Sequence, residues 1–218
     1  GNGTHKTARM LSDEGLNIIG LPKTIDNDIW GTDVTFGFHT ACNSATEVID
    51  RLHTTADSHG RVMVVELMGN KAGWLTLQAG ISGGADVVLI PEIPYDIDRV
   101  VKAVEARKAS RKNFSIIAVA EGAQTREEAA QKRKDRQPSD NPYRTVAHKV
   151  AEAVQQQTGL EARAVVPGHI QRGGSPCPYD RLLSTVFGVH AAKLIAEGIY
   201  GVSVAMIDCS CGVGHNAL

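Results

Sequence analysis

The stretch SHGRVMVV, residues 58–65, decides the fold class, because Val62 to Val65 is an apolar run without the polar alternation of a half-exposed strand. Strands of this kind are buried on both faces, as in parallel sheets covered by helices. Five other runs along the chain have the same character. The six predicted strands are Ile18-Ile19, Val62 to Val65, Val87 to Ile90, Ile116 to Val119, Val165-Val166 and Val202 to Ile207.

The segments between these runs have the three- and four-residue spacing of an amphipathic helix. Strand and helix alternating in this way predict an α/β fold, with mostly parallel sheets flanked by helices. The two clearest apolar stripes are Ala41, Ala45, Val48, Ile49 and Leu52, and Leu183, Phe187, Ala191, Leu194 and Ile195.

The charge balance does not favour a nucleic-acid or membrane-surface partner. The 218 residues carry 23 basic and 24 acidic side chains, for a formal net charge of -1. Apolar runs all fall short of the roughly 18 residues that span a bilayer. Residues 124–141 contain a basic run from Lys132 to Arg136, but acidic residues interleave and no aromatic does, which predicts a solvated helix followed by a loop.

The cysteines and the chain ends give two further expectations. The four cysteines, Cys42, Cys177, Cys209 and Cys211, lack the paired spacing of a zinc site, and a reducing, cytoplasmic location is expected. The chain starts GNGTHKTARM, without a methionine, and stops at CSCGVGHNAL, which carries no helix or strand signal. We therefore expect a segment of a longer protein.

Three segments carry candidate binding or catalytic residues, and the first is GNGTHKTA, residues 1–8. Gly1 and Gly3 let a ligand approach the backbone closely, and Thr4 lies near the N-terminus of the helix that follows. Such an arrangement cradles a phosphate group. A plain glycine-rich turn is the alternative.

The segment GLPKTIDND, residues 20–28, directly follows the strand at Ile18-Ile19. Asp26 and Asp28 are one residue apart, and carboxylates this close repel unless a cation or a proton lies between them. A divalent metal ion is therefore a natural occupant. The alternative is an Asx-rich turn that caps the next helix, although capping requires only one such side chain.

The segment RAVVPGHIQRGGSPCPYDR, residues 163–181, carries three donors on or just beyond a strand: Arg163, His169 and Arg172. Arginines bind phosphate through a bidentate fork, so these side chains predict a cage for a sugar phosphate. Arg61 begins another strand and could bind phosphate too or be a surface charge. Glu121 ends a strand whose loop should face the same ligand.

The ordered set GNGT, PKTIDND, MGNKAGWL, AEGA and GHIQRGGSPxPYDR closely resembles the phosphofructokinase family from Gly1 to about Tyr200, and above all its bacterial group of mixed ATP- and pyrophosphate-using enzymes. The resemblance implies two Rossmann-like lobes, the N-terminal one incomplete, around a shared active site. It implies a donor lobe at 1–37 with 172–200, a sugar-phosphate lobe at 38–171 and a divergent tail at 201–218. The implied activity is phosphoryl transfer to the 1-hydroxyl of fructose 6-phosphate, with Mg²⁺, in glycolysis.

The resemblance also implies roles for individual residues. Asp26 would be the catalytic base, Thr24 would hydrogen-bond the transferring phosphoryl group, and Asp28 with Asn2 would hold Mg²⁺. The implied donor-binding residues are Gly1, Asn2, Gly3, Thr4 and Lys23. The implied sugar-phosphate-binding residues are Arg61, Met68, Gly69, Asn70, Glu121, Arg163, His169 and Arg172. Two of these, Arg61 and Arg163, match arginines that family members donate across a subunit interface, which implies a homo-oligomer, usually a tetramer.

Four positions bear on the phosphoryl donor and on activity. Asn2 and Asn70 stand where many relatives have an aspartate and an arginine. Lys23 is typical of pyrophosphate users, whereas Gly3 leaves room for the α-phosphate of a nucleotide. We expect ATP, with pyrophosphate as the alternative. A catalytically silent sugar-phosphate-binding paralogue, an inactive fragment, and a kinase that shares only the glycine-rich opening stay open as further alternatives.

Overall fold

The computed structural model of the protein describes residues 1–69, 71–131 and 144–217, the last five of these by their backbone alone. These residues form two compact units. The first consists of Gly1–Ala41 and Gly174–Leu218, and the second of Cys42–Gly173.

The first unit contains a small three-stranded sheet. Its strands are β1 (Ile19–Gly20), β6 (Val202–Ile207) and β7 (Ser210–Ala217), in the order β1-β6-β7, with β1 parallel and β7 antiparallel to β6. Its helices are α1 (Asn2–Asp13), α7 (Pro178–Ala196) and the start of α2 (Phe38–His59). The apolar core of this unit comprises Val34, Leu183, Phe187, Ala191, Leu194 and Val204.

The second unit is built on a four-stranded parallel sheet in the order β3-β4-β2-β5. Along the chain its elements are the rest of α2, β2 (Val62–Leu67), α3 (Trp74–Ser82), β3 (Val87–Leu89), α4 (Ile97–Ala109), β4 (Ser115–Ala120), α5 (Arg126–Ala130), α6 (Val146–Thr158), β5 (Ala162–Val165) and a 3₁₀ segment, Gly168–Arg172. Every residue of the two central strands, β2 and β4, is buried, as expected for strands covered on both faces.

The structure confirms the α/β class and has a strand at each of the six predicted sites, although β1 and β5 share one residue each with the predicted runs and Val166 is 43% exposed. Of these six strands, β2 and β4 are buried at every residue, whereas the other four are partly exposed. The structure also corrects two local expectations. Ile195 was predicted to face the core, but its side chain is 54% exposed. The C-terminal segment was expected to form no helix or strand, but Ser210–Ala217 forms β7. The basic run from Lys132 to Arg136 lies outside the described residues, and the assignment of donor and sugar-phosphate lobes stays a prediction.

Across the described ranges, none of the helices combines the length and the apolar character needed to cross a membrane.

A buried carboxylate fixes the start of α6. Thr145, which precedes the helix, makes no capping hydrogen bond through its side chain. Glu66, the last residue but one of β2 and only 7% exposed, instead accepts a hydrogen bond from the backbone N–H of Ala147 at 2.8 Å. The negative charge thus lies at the positive end of the helix dipole.

Replacing Glu66 with alanine should lower the free energy of unfolding by about 1–3 kcal/mol, because the buried N–H of Ala147 loses its acceptor. Urea unfolding followed by circular dichroism measures the change. Glu66→Gln, which retains an acceptor oxygen, is the matched control and should cost less. Equal losses for the two variants would contradict the capping role.

Candidate functional site

Asn27 holds the turn that follows β1. Its backbone is in the left-handed region, with φ of 52°, which asparagine tolerates better than most residues. Its side-chain oxygen accepts the backbone N–H of Thr35 at 2.8 Å, and its amide nitrogen donates to the carbonyl of Asp33 at 3.2 Å. The residue between the two aspartates therefore shapes the turn.

Thr35 links this turn to Thr24. The Thr35 side chain is fully buried, and its hydroxyl donates to the backbone carbonyl of Thr24 at 2.8 Å. The hydroxyl of Thr24 in turn accepts the backbone N–H of Asp26 at 3.2 Å. These bonds bring Thr24 and Asp26 together, and both residues are half-buried.

The alternative of a turn that caps the next helix stays open. Helix α2 begins at Phe38, ten residues beyond Asp28. Neither aspartate therefore directly precedes that helix in the sequence.

The N-terminus of α1 lies against the same turn. The backbone nitrogen of Gly1 donates to the carbonyl of Lys23 at 2.8 Å. The amide of Asn2 donates to the Asp28 carboxylate at 2.7 Å and to its backbone carbonyl at 3.2 Å. The structure therefore brings Gly1, Asn2, Lys23 and Asp28 together, although these residues come from two separate segments of the sequence.

The other predicted donor-binding residues, Gly3 and Thr4, are exposed on the first turn of α1. A Cβ atom added to Gly3 would meet no heavy atom of the described residues within 4 Å. The space beside the start of the helix is therefore open.

Asp28 and Asn2 fit a Mg²⁺ ion held mostly by phosphate and water oxygens. Mg²⁺ is commonly bound by one or two carboxylates together with substrate phosphates. In the described parts of the chain, no group of three or more His, Cys, Asp or Glu side chains could hold a metal ion. These residues therefore do not form a metal site from protein ligands alone.

In the second unit, the loop after β2, described at residues 68–69 and 71–73, is held by side chains from three other loops. Gln171 accepts the backbone N–H of Met68 at 3.1 Å. Glu121, just after β4, accepts the N–H of Gly69 at 3.4 Å, and Glu92, after β3, accepts the N–H of Gly73 at 2.8 Å. The carboxyl ends of parallel strands meet at one edge, so all three acceptors reach the same loop.

Gly69 is required by the shape of this loop. Its φ of +124° is rarely adopted by L side chains, and an added Cβ would lie 2.4 Å from the carbonyl oxygen of Ala72. Asn70, the next predicted site residue, lies outside the described residues.

The 3₁₀ segment presents His169 and Arg172, which are both exposed. Gln171, between them, is buried and contacts Met68. The structure therefore places His169 and Arg172 at the same edge of the sheet as Met68, Gly69 and Glu121.

Arg61 and Arg163 lie at the opposite ends of these strands, where β2 and β5 begin. Arg61 precedes β2 and Arg163 lies near the start of β5, and both donate to the carboxylate of Glu161, at 2.8 and 3.0 Å. The length of β2, six residues at about 3.3 Å each, separates this cluster from Gly69 by about 20 Å. Within one chain, these arginines are therefore not brought together with Gly69.

Glu161 was not singled out from the sequence. The hydrogen bond from Arg61, followed by the one from Arg163, lowers the pKa of its carboxyl group below the ordinary value, because both stabilise the charged form. Gln171, Glu92 and Thr35 were also missed, since their contacts join segments that are distant in the sequence.

Each unit of this α/β protein carries polar groups in loops that follow parallel strands: carboxylates beside a helix N-terminus in the first unit, and cationic side chains in the second. Both sets are suited to phosphate ligands. The model of the family described as phosphofructokinase matches residues 1–195. The chain belongs to the phosphofructokinase family.

Relatives and solved structures agree with this assignment. An ATP-dependent 6-phosphofructokinase of Spirochaeta thermophila is 58% identical over 210 residues, which cover 95% of this chain and 57% of the relative. The structure of phosphofructokinase from Saccharomyces cerevisiae matches with a TM-score of 0.79 and 34% identity, over 91% of this chain and 26% of that one. The pyrophosphate-dependent phosphofructokinase of Marinobacter aquaeolei has a TM-score of 0.76 at 21% identity, over 96% of this chain and 54% of that one, which shows the fold alone. The chain thus spans little more than half the length of the curated relatives it matches.

Replacing Gly69 with alanine should destabilise the loop by about 1–3 kcal/mol or more, because the left-handed backbone and the close carbonyl of Ala72 leave no place for a methyl group. Gly188→Ala is the matched control. Gly188 lies within α7, and an added Cβ there meets nothing within 4 Å of the described residues, so alanine should stabilise by up to about 1 kcal/mol. Thermal unfolding measures both changes, and a neutral Gly69→Ala would contradict the described loop.

The Glu161 carboxyl group should titrate below the ordinary range in an NMR pH titration, and Arg61→Gln should raise its pKa more than Arg163→Gln does. Since the folded-state pKa is lowered, the stability that the ion pairs contribute is present above the unfolded pKa and is lost as the pH falls through the folded pKa. An unchanged midpoint in the Arg61 variant would contradict the proposed cause.

Proposed function

We propose that the protein containing this chain is an ATP-dependent 6-phosphofructokinase, which transfers a phosphoryl group to the 1-hydroxyl of fructose 6-phosphate to give fructose 1,6-bisphosphate. The observation that carries this proposal is the turn that holds Thr24, Asp26 and Asp28 beside the N-terminus of α1. The names of the relatives support it. We expect the reaction to occur in the cytoplasm, as a step of glycolysis.

Asp26 is the proposed general base. Phosphoryl transfer depends on positioning, on neutralising the phosphate charge and on a base that takes the proton of the attacking hydroxyl. Thr24, whose hydroxyl lies next to the Asp26 backbone, would hydrogen-bond the transferring group. Mg²⁺, held by Asp28 and Asn2, would supply neutralisation of the donor phosphates when bound.

The donor is proposed to bind at the start of α1. Gly1, Asn2, Gly3 and Thr4 place backbone N–H groups and the positive end of the helix dipole at this point, which favours phosphate. The open space at Gly3 would admit the α-phosphate of ATP. Lys23, exposed beside the same turn, favours pyrophosphate as the alternative donor.

The sugar phosphate is proposed to bind at the carboxyl edge of the four-stranded sheet. Glu121 and the backbone of Met68 and Gly69 would contact the sugar. His169 and Arg172 are exposed at this edge and would bind the 6-phosphate. Asn70 stays a proposed contact on the resemblance alone.

A homo-oligomer, proposed as a tetramer, rests on the resemblance of Arg61 and Arg163 to arginines that family members donate across a subunit interface, and their place in the second unit supports it. These arginines point to a phosphate ligand by their chemistry, yet lie about 20 Å from Gly69 of their own chain. They would therefore bind the 6-phosphate in the site of a neighbouring subunit.

Replacing Asp26 with asparagine should lower kcat by about 10²–10⁴-fold, because the amide cannot accept the hydroxyl proton. The measurement is a coupled assay on the natural protein that contains this chain, with fructose 6-phosphate, Mg²⁺ and either ATP or pyrophosphate. Asp13→Asn, on the exposed face of α1, is the matched control and should leave kcat within about twofold, since it removes only a surface ion pair.

Turnover with ATP alone would support the assigned donor, and turnover with pyrophosphate alone would replace it with the alternative. If neither donor gives turnover while fructose 6-phosphate still binds, the protein is a silent sugar-phosphate-binding paralogue. The first variants to test would then be Asn2→Asp and Asn70→Arg, which restore the residues that many relatives have.

A further inference from the structure

The 3₁₀ segment Gly168–Arg172 has one buried side chain. His169 and Arg172 are exposed, Ile170 is 74% exposed, and Gln171 is 2% exposed. A five-residue segment has little internal stability, so its position depends on contacts with the rest of the unit. Gln171 is the side chain that supplies a buried contact of this kind.

The oxygen and the nitrogen of the Gln171 side-chain amide both form hydrogen bonds. Its oxygen accepts the backbone N–H of Met68 at 3.1 Å, and its nitrogen donates to the carbonyl of Gly168 at 3.0 Å. A carboxylate could replace only the first bond, and an apolar side chain neither of them. The amide therefore joins the loop after β2 to the segment that carries His169 and Arg172, across 103 residues of sequence.

The other two acceptors of the loop differ from Gln171 in this respect. Glu121 and Glu92 bind Gly69 and Gly73, but neither lies in the segment with the cationic side chains. Only Gln171, among these three, can set the distance between that segment and the loop.

We propose that Gln171 is a positioning residue, which fixes His169 and Arg172 at the distance from Met68 and Gly69 that lets one fructose 6-phosphate reach both. The inference rests on the proposed function, which assigns the phosphate to the first pair and the sugar to the second. A purely structural glutamine would support folding without setting the affinity for this substrate.

The first test is the substitution Gln171→Met in the natural protein that contains this chain. We expect the Kd for fructose 6-phosphate to rise at least about tenfold, with the KM for ATP within about twofold of the unsubstituted value. Gln155→Met is the matched control, because the Gln155 oxygen also accepts a backbone N–H, that of Ala162, but at the amino end of β5. It should leave both constants unchanged.

Hydrogen–deuterium exchange tests the coupling without relying on activity. Gln171→Met should raise amide exchange in peptides covering 66–69 and 168–172, while β4, residues 115–120, keeps its protection. Should Gln171→Met fail to fold, Gln171→Asn keeps the neutral amide but is one methylene too short to keep both bonds, and it should give changes in the same direction.

The outcomes separate the two proposals. Unchanged exchange overturns the positioning role whether or not the substrate binds. Raised exchange together with an unchanged Kd for fructose 6-phosphate also overturns it, as does an equal loss of affinity for both substrates. Raised exchange in a protein whose unsubstituted form binds no fructose 6-phosphate overturns the proposed function, while the coupling through Gln171 is supported.

Discussion

The arrangement of the second unit depends on one constraint. The backbone N–H groups just beyond the end of β2 no longer pair with a neighbouring strand, so side chains must accept their hydrogen bonds. A buried N–H without a partner costs about 1–3 kcal/mol, so a loop at the edge of a buried sheet needs dedicated side chains. Gln171, Glu121 and Glu92 meet this need, each from the loop of a different strand. Since the strands are parallel, all these loops emerge at the same edge, which becomes both rigid and polar.

In the first unit, a smaller set of side chains binds the backbone groups beyond the end of a strand. Asn27 and Thr35 hold the turn after β1 through backbone contacts. In the first unit, Asn27 holds the backbone and the aspartates on either side of it carry the proposed chemistry. In the second unit, Glu121 has both roles, since it accepts the N–H of Gly69 and is a proposed contact of the sugar.

The sequence alone was enough to predict most helices and strands, but it did not predict the hydrogen bonds between residues that are distant along the chain. The β-branched runs located six strands, because strands buried on both faces tolerate few polar residues. Strand β7 was missed because its turn, Asp208-Cys209, adopts positive φ without the usual glycine. Ile195 follows the helical spacing, but α7 buries a narrower stripe. The partners of Gln171 and Glu161 could not be predicted, since no local pattern marks a hydrogen bond that closes a long loop.

The bond between Met68 and Gln171 also has a consequence for the order of events during folding. It spans 103 residues, and contacts of such separation form only after a large loss of chain entropy. During synthesis, the loop after β2 emerges long before its third acceptor exists. We therefore expect assembly of this edge to be a late step: a nascent chain that ends between residues 166 and 170 holds all four strands of the sheet without the finished loop.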